Sequence, residues 1–283
     1  MSSPRTTNPV PDWIETPYPR LAHSLVSFPS KHILLVTINR PTHMNCLPVE
    51  ATIELGALWK WYDAEPELRC AVFTGAGQKA FCAGMDLKQR LDIIRDEGIA
   101  HEYPSGGFAG MSNRTGKKPI VVACNGHAHG GGFEAILNAD IIFASPNATF
   151  RLPEVLRGVS ALAGALPRAM LLFGHHRTMD LILTGRTLSV EEAVSWGLVK
   201  EIVSQEKLLE RAINYAKEIA SLSPDSVIIS RLAAREVWET GVSRATMRGQ
   251  ELYAENMLRS ENASEGLAAY REKREPRWKR SYL

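Results

Sequence analysis

Three consecutive glycines, Gly130, Gly131 and Gly132, stand directly before Phe133 and Glu134 in the stretch ACNGHAHGGGFEAILNAD, Ala123 to Asp140. A phosphate-binding loop closes its glycines with Lys and then Ser or Thr, whereas Gly-Phe-Glu puts a negative charge where that lysine belongs. A dinucleotide fingerprint needs the spacing G-x-G-x-x-G after a first strand, and here the glycines are contiguous and follow a late one. The reading that fits is an oxyanion pocket. Missing side chains let a substrate carbonyl approach the backbone, and the amide at a helix start holds the charge that develops on its oxygen. Such a pocket needs a second donor, and AFCAGMDLK, Ala80 to Lys88, supplies one. Small residues Ala83 and Gly84 bring the Met85 amide to a cleft, while Asp86 is placed to cap the helix that follows.

Other reactive side chains nearby have simpler readings. His127 and His129 suggest a metal pair, yet no third ligand has convincing spacing, so they are read as wall residues on the strand entering the glycines. Cys82 lacks an indicated base and is read as a small buried hydrophobe. His175-His176 reads as a polar helix terminus.

These two turns must be held by a frame, and the sequence shows one. Ile33 to Ile38 (ILLVTI), Cys70 to Thr74, Ile120 to Cys124 and Ile141 to Ala144 are short, nearly continuous apolar runs, as in strands buried on both faces. Helical or glycine-rich segments alternate with them, which argues for an α/β fold with largely parallel pairing. Pro48 opens a helix that Glu65-Pro66 ends. Beyond Leu162 helices dominate, with a strand-like break at Leu198 to Val203. Ser189-x-x-Glu192 reads as a capping box, Ser223-Pro224 as a helix entry, and Arg244 to Arg274 as helical throughout. The glycine-bearing segment from Arg95 to Lys118 reads as a long loop.

Composition narrows the class. Of 283 residues 45% are hydrophobic and 23% charged, an ordinary globular balance, and no apolar run approaches the roughly 20 residues of a membrane span. A formal net charge of +2 provides no broad field for nucleic acid. Cys46, Cys70, Cys82 and Cys124 lack disulfide or CxxC spacing and are read as reduced thiols, which points to an intracellular compartment. The first twenty residues, with five prolines, read as an irregular arm. The terminal SYL is a weak likeness of the peroxisomal SKL signal. Whether the compartment is cytoplasm, peroxisome or mitochondrion stays open.

With both turns in view, the chain resembles the enoyl-CoA hydratase/isomerase, or crotonase, superfamily from Ile33 to about Trp278. The resemblance rests on NRPTHMNCL (Asn39 to Leu47), FTGAGQKAFCAGMDL (Phe73 to Leu87), NGHAHGGGFE (Asn125 to Glu134), ATFRLPEVLRGV (Ala148 to Val159), LTGRTLSVEEAVSWGLV (Leu183 to Val199) and EGLAAYREKREPRW (Glu265 to Trp278), in family order. It implies an α/β fold with a crotonase-type ββα spiral core over residues 21–205, after the arm 1–20, and a helical C-terminal region, 206–283, that supports trimers or dimers of trimers. It implies an acyl-CoA substrate and no metal or other cofactor.

By the same resemblance the Met85 and Gly131 amides polarise the thioester carbonyl. Ala83, Gly84, Met85, Asp86, Leu87 and Lys88, with Gly130 and Gly131, line the bound substrate, and Lys273 reaches the nucleotide from a neighbouring subunit. The two hydratase acids match Glu134 and Glu154. Hydration of a 2-enoyl-CoA then has Glu134 deprotonating water and a protonated Glu154 supplying the α-carbon, so Glu154 is expected to be the more protonated of the two. One departure stands out: where many hydratases carry IPGAGG, this chain reads VSALAGA, Val159 to Ala165. Double-bond isomerase, hydroxycinnamoyl-CoA hydratase/lyase, thioester hydrolase and silent acyl-CoA-binding readings stay open beside the hydratase.

Overall fold

The structure is a computed structural model that describes residues 10–86, 105–281 and 283. Leu87 and Lys88, the helix that Asp86 was expected to cap, and the first part of the segment from Arg95 to Lys118 lie outside the described residues.

In chain order the described elements are β1 (Ser24–Ser30), β2 (Ile33–Ile38), α1 (Val49–Ala64), β3 (Cys70–Gly75), β4 (Ala80–Cys82), β5 (Ile120–Cys124), β6 (His127–His129), α2 (Gly131–Ile136), β7 (Ile141–Ala144) and β8 (Thr149–Arg151). There follow α3 (Ala165–Phe173), α4 (His175–Thr184), β9 (Thr187–Ser189), α5 (Val190–Ser195), β10 (Glu201–Ile202), α6 (Leu208–Ala220), α7 (Pro224–Arg235), α8 (Val242–Arg259) and α9 (Glu261–Glu272). Short 3-10 turns occupy Phe108–Gly110 and Glu154–Arg157.

One sheet has the strand order β1-β2-β3-β5-β7-β10, parallel except for the β1–β2 pair. Its central strands are apolar on both faces because both faces are covered. Leu34, Val36 and Ile38 of β2, with Ala71 and Phe73 of β3, enter the main core, while Ile33, Cys70 and Val72 point the other way onto α6. A period of two therefore reads as a continuous apolar run. The edge strand β1 escaped the sequence reading; SLVSFPS carries Pro29, which an edge strand tolerates, and its register shifts between Ser27 and Ser30.

A second sheet, β4-β6-β8-β9, supplies the inner wall of the main core through Phe81, Ala128, Phe150 and Leu188. Its strands are three residues each, too short to show a period, and two of them carry the glycine turns. Among the described residues no helix is long and apolar enough to cross a membrane.

The capping box at Ser189 and Glu192 forms as expected, as does the Ser223 cap with Pro224 in the first turn. The helical tail is interrupted at Ser260. This residue is extended, with ψ 132°, because its hydroxyl donates to the buried Asp225 Oδ2 at 2.5 Å and accepts from the first amides of α9.

Candidate active site

Both glycine turns sit at the ends of short strands of the second sheet. The first follows β4. The Ala83 amide donates to Met44 O at 3.0 Å, Leu47 N–H to Gly84 O at 2.9 Å, and Asp86 N–H to Leu47 O at 3.0 Å, so three backbone bonds fix the path of Ala83–Asp86. Beneath it, buried Asn45 donates to Ala76 O and Ala80 O and accepts from Arg40 N–H. Asp86 pairs with Arg40 at 3.2 Å. Asn45 and Arg40 belong to the NRPTHMN motif, but their work as a clamp on this turn needed long-range contacts that sequence order does not display.

The second turn follows β6. Gly130 has φ 53° and ψ −129°, a conformation essentially restricted to glycine, and throws the chain from strand to helix within one residue. The turns meet: a Cβ on Gly84 would lie 3.3 Å from Gly131 N and 3.7 Å from Gly130 Cα. Gly131 is the first residue of α2, where the helical pattern offers its amide no acceptor. The structure thus brings Gly84, within the Ala83–Asp86 turn, against Gly130 and Gly131.

The reason for the glycine run differs from the one expected. A Cβ on Gly131 would lie 2.5 Å from the Phe108 ring, and one on Gly132 2.1 Å from Cys82 O. The missing side chains make room for the protein's own ring and carbonyl, and only through that packing shape a cleft. Phe108 is 1% exposed and escaped the sequence reading.

The acids converge on the same place. Glu134, one helical turn into α2, is 3% exposed, and its Oε1 accepts from Ala163 N–H at 2.9 Å and Ala165 N–H at 3.3 Å. The VSALAGA departure therefore still presents amides to this carboxyl. Glu154 opens the 3-10 turn after β8, and its Oε1 would be 3.1 Å from a Cβ on Gly130. Its Oε2 is buried with no hydrogen-bond partner among the described residues, so no ion pair with Arg151 or Arg157 absorbs it.

Burial, and then the charge of Glu154, push Glu134 up to about 7, against the pull of the two amides and of Arg168. Burial raises Glu154 as well, against its own backbone amide. Both carboxyls are raised, and Glu134 is sealed behind the Ala163–Ala165 turn.

The remaining candidates separate cleanly. His127 Nδ1 and His129 Nε2 share the Thr149 hydroxyl, at 2.7 and 2.8 Å, as wall residues of the second sheet. Burial drives the Cys82 thiol strongly up, consistent with an inert buried hydrophobe. Lys273 is exposed at the C-cap of α9, whose main contacts are α7 and α8, so this chain alone does not bring it to the glycine turns.

Paired turns beneath two buried carboxyls on a spiral of short strands define a crotonase-type hydro-lyase, and the chain belongs to the enoyl-CoA hydratase/isomerase family, which it matches over residues 29–281. It is an enzyme of the hydratase kind acting on acyl-CoA. Among its relatives, the mevalonyl-coenzyme A hydratase of Aspergillus fumigatus is 42% identical over 267 residues, 94% of this chain and 98% of that protein. The carnitinyl-CoA dehydratase of Escherichia coli K12 is 35% identical, covering 87% and 95%. Of solved structures, an enoyl-CoA hydratase from Mycobacterium tuberculosis H37Rv superposes with a TM-score of 0.82 at 32% identity, covering 91% and 98%.

Proposed function

We propose that the protein interconverts a 3-hydroxyacyl-CoA of the mevalonyl type and its 2-enoyl-CoA, with Glu134 and Glu154 as the acid–base pair. The convergence of two carboxyls on the glycine turns carries this reading, Glu134 Oε1 accepting from the Ala163 and Ala165 amides and Glu154 Oε1 lying beside Gly130. A protonated Glu134 beside an ionised Glu154 is the state from which elimination of water starts. The Glu154 carboxylate takes the α-proton, and the electron pair moves onto the thioester oxygen, held by the Met85 and Gly131 amides. As the enolate collapses, the β-carbon–oxygen bond breaks and Glu134 gives its proton to the departing hydroxyl. One water leaves, no electrons are gained or lost, and hydration retraces the same steps. The chemistry uses only the chain's own groups.

The substrate assignment is supported by the mevalonyl-coenzyme A relative, and the hydro-lyase direction also by the carnitinyl-CoA dehydratase. Ala83–Lys88 would run along the coenzyme A. We further propose a trimer or dimer of trimers, with Lys273 reaching a neighbour's nucleotide. Support comes from a groove of about 500 Å³ between α7 and α8, lined by Ile229, Val237, Tyr253 and Met257, and from exposed Leu258, Leu267 and Tyr270. A monomer by light scattering at assay concentration would refute the assembly.

The test of function offers the purified protein mevalonyl-CoA, carnitinyl-CoA and 3-hydroxybutyryl-CoA, following the conjugated thioester absorbance and product mass. Mevalonyl-CoA is expected to be turned over fastest, and either Glu→Gln variant to lose about a hundred- to ten-thousandfold in kcat. Activity retained in both variants, or free coenzyme A, a shifted double bond or a cleaved carbon chain as product, would overturn the reading.

A further inference from the structure

The segment Ser105–Lys118 packs beside both halves of the site, and one hydroxyl in it touches both. Ser112 is 0% exposed. Its Oγ accepts from Phe108 N–H at 2.8 Å and donates to Ala163 O at 2.7 Å. On one side, Phe108 is the residue whose ring lies in the space that a Gly131 side chain would fill. On the other, Ala163 is the residue whose own amide donates to Glu134 Oε1 at 2.9 Å.

The surroundings are shaped around that hydroxyl. Gly107 has φ 67°, and a Cβ there would fall 2.3 Å from Ser112 Oγ and 3.1 Å from Ala163 O. The next carbonyl of the turn is held too, since Arg168 Nη1 donates to Gly164 O at 3.1 Å while its Nε donates to Asn138 Oδ1 at 3.1 Å. Carbonyls of the Ala163–Ala165 turn are thus pinned from behind, which aims its amides at the carboxylate. The planar unit that carries Gly164 O also carries the Ala165 N–H, so Arg168 fixes the direction of that donor, while Ser112, holding Ala163 O, fixes the Ala163–Gly164 unit on the Cα that also bears the Ala163 N–H.

We propose that Ser112 is a positioning residue that couples the Phe108 wall of the oxyanion turn to the Ala163 amide holding Glu134, so that one buried hydroxyl sets the geometry of both halves of the site. The inference rests on the assignment of Glu134 as acid–base group.

Without the hydroxyl, Ala163 O and Phe108 N–H lose a shared partner in a dry site, and the Ala163–Gly164 unit is free to turn about the Ala163 Cα. The Ala163 N–H, placed by the same Cα, then supports the Glu134 carboxylate less well, and a carboxylate with weaker donors holds its proton to higher pH. The elimination needs that proton, so the alkaline limb of its pH–rate profile moves up.

The test uses the full-length enzyme with Ser112→Ala and Ser112→Cys, the second preserving bulk while offering only a feeble donor. Ser145→Ala is the control, a hydroxyl equally buried that donates to Cys124 O at 3.3 Å, away from both turns. In both Ser112 variants kcat is expected to fall by about tenfold or more, as sub-ångström misplacement of a catalytic group does, with KM changed by less than about twofold. The alkaline limb should rise by about half a pH unit, and Ser145→Ala should leave it in place. An unmoved limb with wild-type kcat in the Cys variant, or an equal shift in Ser145→Ala, overturns the proposal. Glu134→Gln separates the two levels: if it stays active the acid–base reading itself fails, whereas an inactive Glu134→Gln beside wild-type Ser112 variants refutes only the coupling.

Discussion

Gly131→Ala is the substitution most sensitive to why the glycine run exists. In an ordinary helix the change gains roughly 0.5–1 kcal/mol, because alanine loses less backbone entropy on folding. Here the new methyl would lie 2.5, 2.6 and 2.8 Å from Cδ2, Cγ and Cε2 of Phe108. Ordinary contact is about 3.5–4.0 Å, so the ring must withdraw by about 1 Å. Phe108 cannot move freely, since its turn is anchored by the Trp59 indole N–H donating to Ala109 O at 3.0 Å. The expected sign is therefore reversed, to a loss of about 1–3 kcal/mol. Urea denaturation of Gly131→Ala, Phe108→Leu and the double variant forms a cycle. If the ring is what the glycine accommodates, the double variant is more stable than additivity allows, by about 1 kcal/mol or more. A stabilised Gly131→Ala, or a coupling below about 0.5 kcal/mol, would refute the packing account.

Two further outcomes follow from buried charge. Glu134 has its folded pKa raised to about 7, above the usual carboxylate value, so the unfolded chain releases that proton at lower pH and stability falls as pH climbs toward 7. Glu134→Gln, which keeps an oxygen for the Ala163 and Ala165 amides, is expected to gain on the order of 2–3 kcal/mol at pH 8 and little at pH 4.5, read from denaturation midpoints; equal effects at both pH values would contradict it. Lys118, which donates to Tyr62 O at 3.0 Å and to Glu65 O, is lowered to about 7, chiefly by burial and then by the Lys117 charge. Between about pH 7 and 10 the unfolded chain holds a proton that the folded chain lacks, so stability rises with pH there by up to about 1.4 kcal/mol per unit. Lys118→Met should flatten that slope, and an unchanged slope would remove Lys118 as its source.

The long strands were legible because a buried parallel strand writes its burial into every residue: ILLVTI, IVVAC and IIFA begin and end where the apolar runs do. The second sheet was not, since AFC, HAH and TFR are too short to show a period and are defined by pairing with strands some 20 to 45 residues away. Both glycine turns and both acids could be named from their motifs, and the structure gathers them. Phe108, Ser112 and Ala163 could not. Nothing local distinguishes a serine that happens to meet a carbonyl 51 residues later, and only the fold makes that contact. The reading of the Arg95–Lys118 segment as a long loop came from its glycines, and within the described residues these also serve close packing, as where Gly110 would meet Gly56 Cα at 2.3 Å if it carried a Cβ.

The raised acid pair has the same origin. Seen as motifs, Glu134 and Glu154 are two glutamates beside glycines, and their motifs do not show how each is enclosed. In the fold, Glu134 lies behind the Ala163–Ala165 turn, while Glu154 sits on a 3-10 turn whose next residues, Val155 and Leu156, are exposed. Two like charges beside the same turn cannot both ionise cheaply, so the pair favours keeping a proton. The backbone amides reduce that preference without cancelling it, leaving Glu134 near neutrality, where it can give and regain a proton at working pH. The burial that weakens the fold at pH 8 is thus the same burial that keeps an acid available for the departing hydroxyl, which is why Glu134→Gln is expected to stabilise the protein and silence it together.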